Sequence, residues 1–197
     1  IIYDDVSGNG SIDAADKVII DNLTPKFTGG LNLGVSWKNL SLFGQFSFTY
    51  GGKLYNLDEQ LLRSTELGYD DVMKNKPDYI LDRWTQENQS SRYPRFVVGA
   101  HGAQNETGWN DRPSTLYLFD ASFLKLNKLT LSYNLPQNWI QKLGMTSCSV
   151  YLSGENLFTL KNKKLNVPDP EAALTSGIAQ KGVPSPRSFM IGLDLTF

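Results

Sequence analysis

No run of about 20 apolar residues occurs in this chain, so it holds no segment fit to cross a membrane as a helix. Strands that alternate in polarity are not excluded by that test, because they average to a moderate hydropathy. There is one cysteine, Cys148, and therefore no internal disulfide. The sole histidine, His101, lies in Gly99-Ala100-His101-Gly102-Ala103, without a second histidine for a zinc site or a Cys–His pair for nucleophilic catalysis. Neither sign of charge prevails: 19 Lys+Arg stand against 20 Asp+Glu, which argues against a nucleic-acid partner. Gly8 and Gly10 make no phosphate loop, since no helix and lysine follow in place. Asp169 and Glu171 are a carboxylate pair of the kind glycoside hydrolysis uses, but neighbouring loop carboxylates are more often solvated or bonded to turns. No catalytic residue is assigned, and no enzyme is expected. The start, Ile1-Ile2-Tyr3, carries no signal-peptide pattern, and the chain is expected to be cut from a longer protein.

Aromatic residues, in contrast, reach 12%, and five segments alternate in polarity. Residues 27–37 set Phe27, Leu31, Leu33, Val35 and Trp37 against Thr28, Asn32 and Ser36. Residues 40–50 set Leu40, Leu42, Phe46, Phe48 and Tyr50 against Ser41, Gln45, Ser47 and Thr49, after a two-residue Lys38-Asn39 hairpin connection. In 120–135 the apolar phase is even at Leu124 and Leu126 and odd at Leu129, Leu131, Tyr133 and Leu135, which places a β-bulge near Asn127-Lys128. Residues 147–157 and 187–197 alternate likewise, the last setting Phe189, Ile191, Leu193, Leu195 and Phe197 against Met190, Gly192, Asp194 and Thr196.

A soluble sandwich alternates too; the connections discriminate. They run short (38–39), long (51–119), short (136–146), long (158–186), the order of periplasmic turns and extracellular loops in an outer-membrane barrel. The expected fold is therefore all-β: about five antiparallel strands of a transmembrane barrel in a Gram-negative outer membrane, with short helices in long extracellular loops. By the same parity residues 1–26 and 51–119 are extracellular, and 187–197 runs down to close the barrel. Helices are expected where Leu57, Leu61, Leu62 and Thr65 recur, over 77–86 behind Pro77, and between Pro136 and Gly144. Trp37, Trp139 and Phe197 fall at one end, as an aromatic girdle requires.

Residues 5–16, DVSGNGSIDAAD, have the pattern of a calcium loop. Asp5, Ser7, Asn9 and Asp13 supply side-chain oxygens at positions 1, 3, 5 and 9, Ser11 its carbonyl, and Asp16 the last carboxylate, with Gly10 at the sharp turn. Hard oxygens of this number suit calcium.

Several stretches then resemble the C-terminal region of SusC/RagA-type TonB-linked outer-membrane proteins. They are Asp5–Asp16, Pro25-Lys26-Phe27-Thr28-Gly29-Gly30, Arg92-Tyr93-Pro94-Arg95, Asp120-Ala121-Ser122-Phe123-Leu124-Lys125-Leu126, Leu129–Pro136, Val150–Thr159, Asp169-Pro170-Glu171 and Pro184–Phe189. The resemblance covers almost the whole chain; it departs at Leu160–Leu165, where the family often has an aromatic Tyr-x-Gly stretch. It implies a 22-stranded barrel with an N-terminal plug, importing oligosaccharides or peptides with energy delivered through TonB. A SusD-like surface lipoprotein would sit over the loops, TonB would bind a region absent from this chain, and Phe197 would be read by the barrel-assembly machinery. Five strands cannot close such a barrel. The rival expectation is a soluble, calcium-stabilised β-sandwich that binds glycans.

Overall fold

A computed structural model describes residues 3–63, 75–91, 93–95, 113–171, 174, 176–180 and 182–197. His101, Thr65 and Arg92 lie outside them. The chain forms two compact units.

The larger unit holds residues 22–54, 119–177 and 182–197. Its body is an antiparallel sheet of β1 (Phe27–Trp37), β2 (Leu40–Tyr50), β5 (Phe123–Asn134), β6 (Ser147–Lys161) and β8 (Ser188–Thr196), in that order across the sheet. β1 and β2 have the boundaries expected from alternation. They pair from Phe27↔Tyr50 to Trp37↔Leu40, so Lys38-Asn39 is the whole turn, with Lys38 at φ 54°. β5 is shorter than the expected 120–135, and β8 stops one residue before Phe197.

The bulge is where the phase flip put it. Gln45 pairs with Lys128 and Phe46 with Leu126, leaving Asn127 as the extra residue on β5. Ser47 Oγ donates to the Asn127 side-chain oxygen at 3.2 Å. β6 answers with a bulge of its own. It pairs Leu126↔Phe158 and Lys128↔Glu155 with β5, and Asn156 stands at φ 53°. That residue resets the alternation, so β6 runs on to Lys161 rather than ending at 157 as expected, with Phe158 and Leu160 in phase with the apolar face. Matched bulges on neighbouring strands keep each strand's polar and apolar sets aligned with those beside it.

Between β5 and β6 the chain turns through α2 (Gln137–Ile140) and a 3-10 turn at Gln141–Leu143. It stops at Gly144 with φ 72°. Ile140 is buried beneath this turn while Trp139 is exposed.

The smaller unit holds residues up to 21, 55–118 and 178–181. Tyr55 and Asn56, the end of β3 (Lys53–Asn56), pair in parallel with Ile178 and Ala179 of β7. α1 (Leu57–Arg63) follows as the leucine spacing requires, with Asp58 and Glu59 in its first turn and Arg63 in its last, the order the helix dipole favours. The helix expected over 77–86 is a tighter 3-10 segment, Asp78–Asp82, entered from Pro77. The short strand β4 (Leu118–Asp120) then leads to β5.

Candidate functional site

Register divides the sheet into two faces of opposite chemistry. One carries a row Val35, Leu42, Leu131, Leu152 and Ile191, a residue from every strand, each opposite the next. The row Trp37, Leu40, Tyr133, Val150 and Leu193 flanks it on one side, and Leu33, Gly44, Leu129, Gly154 and Phe189 on the other. These side chains stand open: Val35 is 68% exposed, Ile191 79% and Leu193 63%. Leaving one such side chain in water forgoes roughly 1.5–3 kcal/mol. A continuous patch of this size on a soluble sheet is a liability; against hydrocarbon it is the favoured arrangement. Aromatic residues bound the face at both ends. Trp37, Trp139 and Phe197 are exposed at one. At the other, Phe27 stacks on Tyr50 at 5.1 Å and meets Phe48 edge-on at 6.2 Å.

The opposite face reads Asn32, Gln45, Lys128, Glu155 and Ser188 across the same five strands. Its polar groups satisfy one another: Ser36 and Ser41 hydroxyls lie 2.9 Å apart, as do those of Thr130 and Ser153. Lys128 and Glu155 stand 3.8 Å apart, half exposed. Tyr151 lies across Gly192 on the next strand; a Cβ there would come within 2.3 Å of its ring, so any larger residue would push the ring off the face. This is a surface built for water, backed by one built for lipid.

Where the strands meet the 162–187 connection, the polar face carries an ion cluster that sequence reasoning missed, with the Lys125 and Asp169 side chains buried and Glu171 half exposed. Lys125 donates to Asp169 Oδ2 at 2.9 Å and to Glu171 Oε2 at 2.8 Å. Ser185 Oγ donates to the same Asp169 oxygen at 2.6 Å, and the Glu171 amide to Oδ1 at 3.0 Å. Burial pushes the Asp169 carboxyl up, but the hydrogen bonds from Ser185, Lys125 and the Glu171 amide outweigh it and hold the acid below its ordinary value. The two carboxylates singled out as a hydrolytic pair are thus tied to one lysine. Only their separation by 44 and 46 residues from Lys125 hid the contact.

In the smaller unit, α1 carries a second cluster. Glu59 Oε1 accepts from Arg63 Nε at 2.6 Å and from the Tyr79 hydroxyl at 2.9 Å. The Arg63 guanidinium lies 4.9 Å from the Tyr93 ring, 5.5 Å from Tyr79 and 6.0 Å from Tyr117. Burial, followed by the Glu59 charge, pushes the Tyr79 phenol up to about 12. The i,i+4 spacing of Glu59 and Arg63 on a predicted helix was a legible signal; the three tyrosines gathered from 39 residues of chain were not.

The six residues expected to hold calcium do come together in one loop. Asp5 Oδ1 accepts from the Gly8 amide at 2.7 Å and the Asn9 amide at 3.2 Å, and Oδ2 from the Gly10 amide at 2.8 Å. Gly10, at φ 79°, makes the turn. Asn9 Oδ1 accepts from the Ser11 amide and its Nδ2 donates to Asp13. Asp13 caps the short 3-10 turn Ala14–Asp16. Asp16 accepts from the Ser7 and Asp13 amides, which hold its carboxyl below the ordinary value. Among the described residues no three acidic side chains converge as metal ligands. In this arrangement the Asp5 and Asp16 carboxylates accept from backbone amides.

An apolar, aromatic-bounded face backed by a polar one, on antiparallel strands of 9 to 15 residues, defines a segment of a transmembrane β-barrel wall. No helix among the described residues is long and apolar enough to cross a membrane. Comparison with known proteins agrees. The chain is 30% identical over 99% of its length to TonB-dependent receptor P26 of Formosa agariphila, and 28% identical over its full length to TonB-dependent receptor SusC of Bacteroides thetaiotaomicron. It superposes with a TM-score of 0.77 over 95% of its residues, at 30% identity, on a structure of the RagAB peptide transporter, and with 0.74 on RagAB in an open-open state. No family model matches. The chain spans about a fifth of the length of the curated relatives: 19% of P26 and 17% of SusC. It belongs to the SusC/RagA-type TonB-dependent receptors, as a segment of their barrel.

Proposed function

We propose that this chain is part of the wall of an outer-membrane importer that takes up oligosaccharides or peptides. The reading rests on the two-faced sheet: five strands in register present lipid-compatible side chains outward and hydrated ones inward, as a solute pathway through a bilayer requires. Similarity to SusC and to RagAB, the latter described as a peptide importer, supports the transport role. On this reading the complete barrel has 22 strands, a SusD-like lipoprotein covers the extracellular loops, and TonB drives uptake through a part of the receptor outside this chain. The soluble sandwich is not favoured, because no second layer among the described residues covers Val35, Ile191 or Leu193.

The test is deletion of the full-length gene, with uptake of labelled oligosaccharide and peptide pools measured against the parent. Loss of one class of cargo, restored by the intact gene and not by one lacking the TonB-binding region, is the expected result. Unchanged uptake of both, or release of the protein from cells without detergent, overturns the proposal.

A further inference from the structure

Lys125 is the one lysine that the described part of the sheet buries on its polar face with two carboxylates from a loop upon it; it is 5% exposed. It sits beside the Asn127 bulge, at the end of β5 from which the long connections spring. The loop half of the cluster is built as firmly. Pro170, between the two acids, is fully buried, and Ser185 fastens Asp169 from the far side of the connection. Farther along, Lys161 donates to the Val167 carbonyl, and Leu165 and Val167 are 1% and 3% exposed. Thus the loop approaches the polar face with Leu165 and Val167 turned from solvent and sets two carboxylates on Lys125.

Lys125 and Asp169 are covered where the loop meets the sheet, so each keeps its buried partner only while the loop stays in place. Moving the loop away returns Lys125 and the two carboxylates to water; keeping it there pairs them with one another. The arrangement therefore has two states, loop engaged and loop released, separated by one ion cluster. We propose that the Lys125–Asp169–Glu171–Ser185 cluster is a latch that holds the 162–171 stretch against the inner wall at the extracellular mouth, and that its release widens the mouth. The proposal rests on the importer reading for what passes the mouth, but not for the latch itself.

The test uses the full-length receptor in the outer membrane. A cysteine is placed at the buried loop position, Val167→Cys, in a Cys148→Ala background, and its reaction with a membrane-impermeant maleimide is timed on whole cells. Folding is read in the same samples from heat-modifiable gel mobility. Lys125→Gln, and separately Asp169→Asn with Glu171→Gln, should each raise the labelling rate at least about tenfold. Lys128→Gln, on the same face but paired with Glu155, should not. In planar bilayers the released variants should pass more ion current than the parent. Equal labelling in folded barrels, or faster labelling with unchanged current, overturns the latch. Faster labelling and raised current in a receptor that imports no tested glycan or peptide would overturn the importer reading and leave the latch standing.

Discussion

The two-faced sheet makes a depth-dependent prediction at Leu33. Its row lies midway between the aromatic ends, with Phe27 on one side and Trp37 on the other. Leu33 is 51% exposed, with its side chain on the apolar face. In a strand rising about 3.3 Å per residue and tilted about 40°, Trp37 lies about 10 Å nearer the headgroups. An arginine at Leu33 would enter the middle of the hydrocarbon, where the cost is about 2–4 kcal/mol; at Trp37 it would be about 0–1 kcal/mol. Asn32→Arg, one residue away but on the wet face, should cost no more than the interfacial change. The assay is reversible folding into lipid vesicles, with folded and unfolded fractions followed by tryptophan fluorescence and gel mobility against denaturant. The expected order is Leu33→Arg far below Trp37→Arg and Asn32→Arg, the gap corresponding to at least about a tenfold change in the folding equilibrium. A neutral Leu33→Arg would mean that this face meets water, and would refute the membrane assignment. Equal losses at Leu33 and Asn32 would mean that both faces are packed, and would refute it as well.

Removing the arginine from the smaller unit should leave the buried Glu59 without its counter-ion. Arg63→Met is expected to cost about 3–5 kcal/mol of local stability, read as faster amide exchange in 55–63 and 78–91 while β2 and β5 keep their protection. Acidification acts on carboxyls whose folded pKa is depressed, so their contribution is complete above the unfolded value and is lost as pH falls through the lower folded one. Labelling at Val167→Cys should therefore be flat from pH 8 to about 5, apart from the reagent's own pH dependence, and should rise only below the ordinary aspartate range near 3.8; a rise near pH 6 would point to another group. At the 5–16 loop, calcium titration of the full-length receptor should leave the melting temperature unchanged, because the loop's carboxylates already accept amide protons. A calcium-dependent rise abolished by Asp5→Ala with Asp13→Ala would show instead that the ion displaces those bonds.

Period and punctuation settled the sheet from the sequence alone. A strand's side chains change face at every residue, so two polarity sets written into 27–37 and 40–50 leave one register and one turn. The phase flip between Leu126 and Leu129 located the Asn127 bulge for the same reason. The compensating bulge at Asn156 was harder to read, since Gly154, Glu155 and Asn156 carry no apolar residue to mark the slip. The calcium pattern shows a limit of another kind: spacing brought the right residues into one loop, but the direction in which each oxygen points depends on whether an amide or an ion takes it.

Alternation and loop length are local properties, and they sufficed for the strands, the two faces and the membrane. The Lys125 latch and the Arg63 cluster join residues tens of positions apart, through a loop whose path no local rule dictates. Lys125 has the sequence of a polar-face residue and Asp169 that of a solvated turn. Their burial together is a consequence of where tertiary structure lays the loop, because only there does losing water make each charge depend on the other.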